Sequence, residues 1–236
     1  MQTQTHHWNP MDWTITLEDE ARLLVEELEL HPAAQRLFNG SIAKDGYIAW
    51  LVQTYHYVQW TTPLLEQAGR RMKRLGRNVL LTELLLQKAS EERGHERWLL
   101  ADLKNLGCSR QQVENTRPSR AVEAYIAWNR FQSEAGSPTA FLGTAFVLEY
   151  LSVHRAGEAV ERLLARNAIP HIHKAVTFLR GHAGADGAHV AELMAVLRTL
   201  TDPMEQSALL LSARNTRAIY LGLFPEPEGA APAVER

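Results

Sequence analysis

The amino-acid sequence predicts an all-α protein built as a single bundle. Apolar residues recur at three- and four-residue spacing through almost every long segment. No stretch alternates apolar and polar residues between turn signals, as a half-buried strand would. The connections are short and offer no Pro- or Gly-rich linker at which a second domain could begin, and no internal repeat is visible. The chain of 236 residues is 45% hydrophobic, enough to fill one large core.

Residues 1–15 are polar and read as an irregular N-terminal segment. Thr16 with Asp19 looks like a helix start, and Leu17, Leu23, Leu24, Leu28 and Leu30 continue at helical spacing until His31-Pro32 ends the run. A short helix over 33–38 stops at Asn39-Gly40. A long aromatic-rich helix covers 47–74, with a kink expected at Pro63. Its end carries Arg70, Arg71, Lys73, Arg74 and Arg77, cations that suit the negative end of a helix dipole. Further helices are expected over 78–106, 119–134, 139–168, 173–200 and 204–222, separated by Gly136-Ser137-Pro138, Pro170 and Asp202-Pro203. The helical domain thus spans 16–223. Residues 224–236, with Pro225-Glu-Pro-Glu-Gly-Ala-Ala-Pro232, read as a disordered tail.

Charge and cysteine usage exclude several function classes. Twenty-five Lys and Arg against 27 acidic residues leave a formal net charge of -2, no basic field to hold a polyphosphate backbone, and so no expected nucleic-acid partner. The lone Cys108 excludes an internal disulfide and fits a reducing cytoplasm. No apolar run reaches the roughly 18–20 residues of a membrane span, and a cytoplasmic protein is expected.

Three groups of residues could carry chemistry. In His182-Ala-Gly-Ala-Asp186-Gly-Ala-His189, offsets of four and seven place all three polar side chains within about 40° of one line on a helix. Imidazoles and a carboxylate on one face suit Fe, Mn or Zn, although a solvated polar face has the same pattern. Gly184 and Gly187 cost about 1 kcal/mol each in a helix interior, which a crowded site explains better than a surface does. Glu92 and His95 form a Glu-x-x-His pair, the unit of carboxylate-bridged sites in bundles. Glu91 is the obvious substitute for Glu92, and this pair too can arise on a charged face. Glu149 sits in Ala145-Phe-Val-Leu-Glu149-Tyr-Leu-Ser-Val153, where a buried carboxylate needs a proton, an ion-pair partner such as Arg, or a metal. His31, His154, His171 and His173 are expected to be structural or at the surface. Gln53, Tyr55, His56, Tyr57 and Trp60 combine rings and polar tips and form a candidate wall of a substrate pocket, or simply core.

The order Glu-x-x-His, then the apolar-flanked Glu149, then His-x3-Asp-x2-His resembles the haem-oxygenase-like di-iron oxidases. Leu51-Val-Gln-Thr-Tyr-His-Tyr-Val58 followed by Thr-Thr-Pro-Leu-Leu65 is similar to that group as well. The resemblance covers residues 20 to 222 and implies a seven-helix haem-oxygenase-like fold. It also implies a non-haem centre of two Fe(II) per chain held by Glu92, His95, Glu149, His182, Asp186 and His189, with O2 as co-substrate. Members oxidise fatty acids, amino acids and amino-acid-derived amines, so a small-molecule substrate is expected, with an external electron donor and a homodimer allowed for. Two other readings stay open. One is a cofactor-free oxidase of the kind related to pyrroloquinoline quinone synthesis; the other is a metal-binding helical protein without catalysis.

Overall fold

The computed structural model describes residues 12–184 and 187–224, and among these every regular element is helical. In chain order the helices are α1 (Asp12–Leu30), α2 (Pro32–Phe38), α3 (Lys44–Arg74), α4 (Val79–Glu91), α5 (His95–Asn105), α6 (Arg110–Asn115) and α7 (Arg120–Glu134). They continue with α8 (Ala140–Arg166), α9 (Thr177–Ala183), α10 (Gly187–Leu197) and α11 (Pro203–Tyr220). The expected tail beyond Phe224 and most of the expected N-terminal segment lie outside the described residues. The first helix begins at Asp12, so Thr16 is inside it rather than capping it.

Two long helices organise the molecule. α3 has 31 residues and packs against α4, α5 and α7, while α8 has 27 and packs against α1, α2, α9 and α11. At 1.5 Å per residue they run about 46 and 40 Å. The helix α3 continues through Pro63. One hydrophobic core runs through both groups and includes Tyr47, Leu51, Leu65, Phe146, Val147 and Leu209, all almost fully buried. Within the α8 group, Gly143 allows a close backbone approach. A Cβ there would lie 2.2 Å from the Leu209 carbonyl oxygen, so only glycine lets α8 and α11 touch backbone to backbone.

Two expected helices are divided. The 78–106 helix bends at Glu92-Arg93-Gly94, because Gly94 sits in the left-handed region at φ 94° and the chain restarts at His95. The 173–200 helix is instead a 3-10 turn (Ile172–Lys174), α9 ending at Ala183 with Gly184 as its cap, and α10 beginning at Gly187. The glycines that looked costly inside one helix therefore lie at helix ends. The short helix α6 opens with a capping box, in which Ser109 and Gln112 each bond the other's backbone N–H. The basic run at the end of α3 has a specific use: Arg71 donates to the carbonyls of Gln132, Ala135 and Gly136 and so closes α7.

Candidate metal centre

The bend between α4 and α5 builds half of the site. Glu92 caps the end of α4, and His95 is the first residue of α5. The Glu-x-x-His pair therefore meets across a turn rather than along one helix face, with His95 Nδ1 2.9 Å from Glu92 Oε2. The positive end of the α5 helix dipole favours a carboxylate beside it.

His182 arrives from α9, and α5 fixes where that helix lies. Asp102 is fully buried on α5 and accepts hydrogen bonds from the Thr177 and Phe178 backbone N–H groups at 3.0 and 2.9 Å. Asn105 donates to the Lys174 carbonyl, and Tyr47 of α3 donates to that of Ala175. On the same face of α5, Trp98 stacks on His95 with ring centroids 4.1 Å apart. Its ring fills the space beside Gly181, where a Cβ would lie 2.5 Å from the indole. The His95 and His182 rings then meet edge to face at 4.9 Å.

Together these contacts bring Glu92, His95 and His182 to one point, with one donor atom from each lying within 4.8 Å of the others. His182 Nδ1–H donates to the Phe178 carbonyl at 3.0 Å, which leaves Nε2 with its lone pair free. A backbone carbonyl on the far ring nitrogen is the usual support of a metal-ligating histidine. Burial pushes the His182 pKa down, towards the neutral imidazole that a metal requires. Burial raises that of Glu92, but the His95 hydrogen bond and the charges of His182, His95 and Lys88 outweigh it and hold the carboxyl below its ordinary value. Two imidazoles and one carboxylate are the donor set that non-haem Fe(II) enzymes use. The residues present fit iron.

Glu149 lies beside this group on α8 but outside the cluster of three. Its Oε1 pairs with Lys88 Nζ at 2.8 Å, while its buried Oε2 has no hydrogen-bond partner. Burial raises the Glu149 pKa even though Lys88 acts against it. Of the ways in which a buried carboxylate at this position is satisfied, the described residues supply an ion-pair partner, which is a lysine rather than an arginine. Lys88 also holds Glu91, at 2.9 Å. Sequence reasoning missed Lys88, which continues the buried stripe Leu81, Leu84, Leu85 of α4 and so stands where an apolar residue is expected. Asp186 lies outside the described residues, and so does the side chain of His189.

A cavity of about 360 Å3 opens from the three donors and is lined mainly by apolar side chains, among them Trp50, Val58, Leu65, Phe141, Leu148 and Phe178. Its polar lining includes Tyr57, Tyr125, Tyr220, Thr144, Ser152, Arg155, Lys88 and Glu149. Of the aromatic cluster named as a pocket wall, only Tyr57 lines it. Gln53 instead braces the chain before α7, accepting from the Ser119 N–H and donating to the Arg117 carbonyl. His56 is buried edge-on against Tyr55, and Trp60 lies at the surface under the Arg130 guanidinium. His154 stacks on Tyr150 at the surface, His171 and His173 are exposed, and His31 caps α2 against Phe224. Cys108 is partly buried in the loop before α6. No helix among the described residues is long and apolar enough to cross a membrane.

Comparison with known proteins agrees with this architecture. A domain of unknown function with a haem-oxygenase-like fold from Shewanella denitrificans superimposes with a TM-score of 0.75 at 20% identity, covering 89% of this chain and 90% of the other. A TenA homologue from P. horikoshii matches at 0.70 and 15% identity, covering 90% and 96%. A CADD-like protein of unknown function from Nostoc punctiforme matches at 0.65 and 20%, covering 91% and 96%. At these identities the likeness establishes a haem-oxygenase-like fold. No curated protein sequence matches the chain. The model of one sequence family matches residues 48–220, which is most of the chain and includes Glu92, His95, Glu149 and His182. The protein therefore belongs to the haem-oxygenase-like family of iron-containing redox enzymes.

Proposed function

We propose that the protein is an O2-dependent non-haem iron oxidoreductase acting on a small, largely apolar molecule bound in the cavity. The observation that carries this reading is the convergence of Glu92, His95 and His182 at the wall of that cavity. Iron bound there would supply the redox chemistry with O2. The chain's own residues contribute the rest. Phe178 and Trp98 clamp the two imidazoles, and the Phe178 carbonyl fixes the His182 tautomer. The apolar lining keeps water from the reacting carbon or nitrogen. Tyr57, Tyr125 and Tyr220 offer hydroxyls to orient a substrate at the α3–α7 side.

The six-residue set Glu92, His95, Glu149, His182, Asp186 and His189 would hold two Fe(II) in full, as in the di-iron oxidases that the sequence resembles. An amine, an amino acid or a medium-length fatty acid would fit the cavity, and an external donor would supply electrons. A cytoplasmic location and a homodimer belong to the same reading. The test is O2 uptake by the Fe(II)-loaded protein with panels of these three substrate classes. Substrate-dependent uptake that His182→Ala abolishes supports the proposal. Equal rates in wild type and variant would refute it.

A further inference from the structure

Lys88 does not behave as a surface lysine. Its side chain is only 6% exposed and reaches from α4 into the cavity, with Nζ 2.8 Å from Glu149 Oε1 and 2.9 Å from Glu91 Oε2. Taking an ammonium out of water is costly, and only close carboxylates repay it. Here two of them do, and both lie beside the donors of the metal centre. Lys88 is one helical turn before Glu92 and bears on its charge as well.

Charge and coordination point the same way. Among the described residues, Glu91, Glu92 and Glu149 line the cavity together, and the ammonium pairs with two of them. A second divalent ion would need Glu149, yet Lys88 already holds Glu149 Oε1 and only Oε2 is free. An ion placed against the remaining oxygen would stand within a few ångströms of the ammonium and be repelled by it.

We infer that Lys88 is a tethered cation standing in for a second metal ion: the chain takes its first ion at Glu92, His95 and His182, and a second only by displacing this ammonium from Glu149. Lys88 is then a positioning residue that sets metal stoichiometry. The inference rests on the metal-centre reading above, and the two can fail separately.

Titration of the metal-free full-length protein with Co(II), followed by visible absorption and calorimetry, tests both. Wild type should bind one equivalent tightly and a second at least about 100-fold more weakly. Lys88→Met and Lys88→Gln should bind the second ion at least about tenfold more tightly while the first changes little. Lys88→Arg, which keeps the charge, should retain the wild-type pattern. Two equally tight ions in wild type would overturn the inference without any variant. So would a folded Lys88→Met or Lys88→Gln with wild-type affinity for the second ion, the result expected of a purely structural ion pair. Absence of even the first equivalent would refute the metal centre itself.

Discussion

At the scale of single residues, the centre depends on contacts that a change of one methyl group should disturb. The Gly181 Cα lies against the Trp98 ring, which in turn stacks on His95. Gly181→Ala would press a methyl into the indole and push it against the imidazole. We expect about 1–3 kcal/mol of lost stability from this overpacking, and weaker binding of the first metal ion. Thermal melts and a Co(II) titration read the two effects, and unchanged metal affinity would show that Trp98 does not position His95. Glu149 and His182 stood out in the sequence as polar residues in an apolar or small-residue context, and Glu92 and His95 by their spacing alone. The Glu92–His95 geometry was not visible. A spacing of three looks like one helix face, and only the left-handed Gly94 reveals that the pair spans a bend. Lys88 was missed for the opposite reason, since Lys usually ends in solvent and its partners come from distant positions.

At the scale of elements, α9 is too short to be stable alone, and α5 holds it through Asp102. Asp102→Ala would leave the N–H groups of Thr177 and Phe178 at the start of α9 without their acceptor, the second of them buried, a loss of about 2–3 kcal/mol. Burial raises the Asp102 pKa, and the N–H groups of Phe178 and Thr177 pull it back only in part. The folded protein therefore keeps this proton to higher pH than the unfolded chain does. The associated stability is fully present below about pH 4, the unfolded value, and is lost as pH rises through the folded one. Asp102→Asn cannot titrate, so the stability gap between wild type and this variant should shift in the variant's favour from pH 4 to pH 7. Melting curves across that range check it, and a constant gap would contradict the assignment. Arg71 serves α7 comparably. Arg71→Ala should cost about 1–3 kcal/mol through the three carbonyls it releases, whereas the exposed Arg70–Glu66 pair should matter far less. The helix boundaries set by Pro32, Pro203 and Asn39-Gly40 could be read from local chemistry. The divisions near Gly94 and after Ala183 could not, because tertiary contacts decide whether a helix continues through glycine.

At the scale of the whole molecule, the centre joins parts of the chain that are far apart in sequence. Glu92 and His95 belong to the α4–α5 bend, His182 to α9 and Glu149 to α8, and the two core groups organised by α3 and α8 meet there. A metal ion bound by this set binds the folded chain far better than the unfolded one, so loading should raise stability by about 2.7 kcal/mol at 100 times the dissociation constant. For a domain of this size that corresponds to a rise in Tm of about 5–10 °C. The all-helical class and single bundle were legible because periodicity and short connections are local properties. The cavity was not, since its lining comes from eight helices and only Tyr57 of the predicted aromatic wall faces it. In the proposed centre, Glu92, His95 and His182 hold iron. The most direct test is anaerobic Fe(II) loading, removal of free metal, and metal analysis of wild type beside Glu92→Gln and His182→Ala. Retention of about one Fe per chain in wild type and little in either folded variant is the predicted result; wild type that retains no iron, or variants that retain as much as wild type, would contradict it.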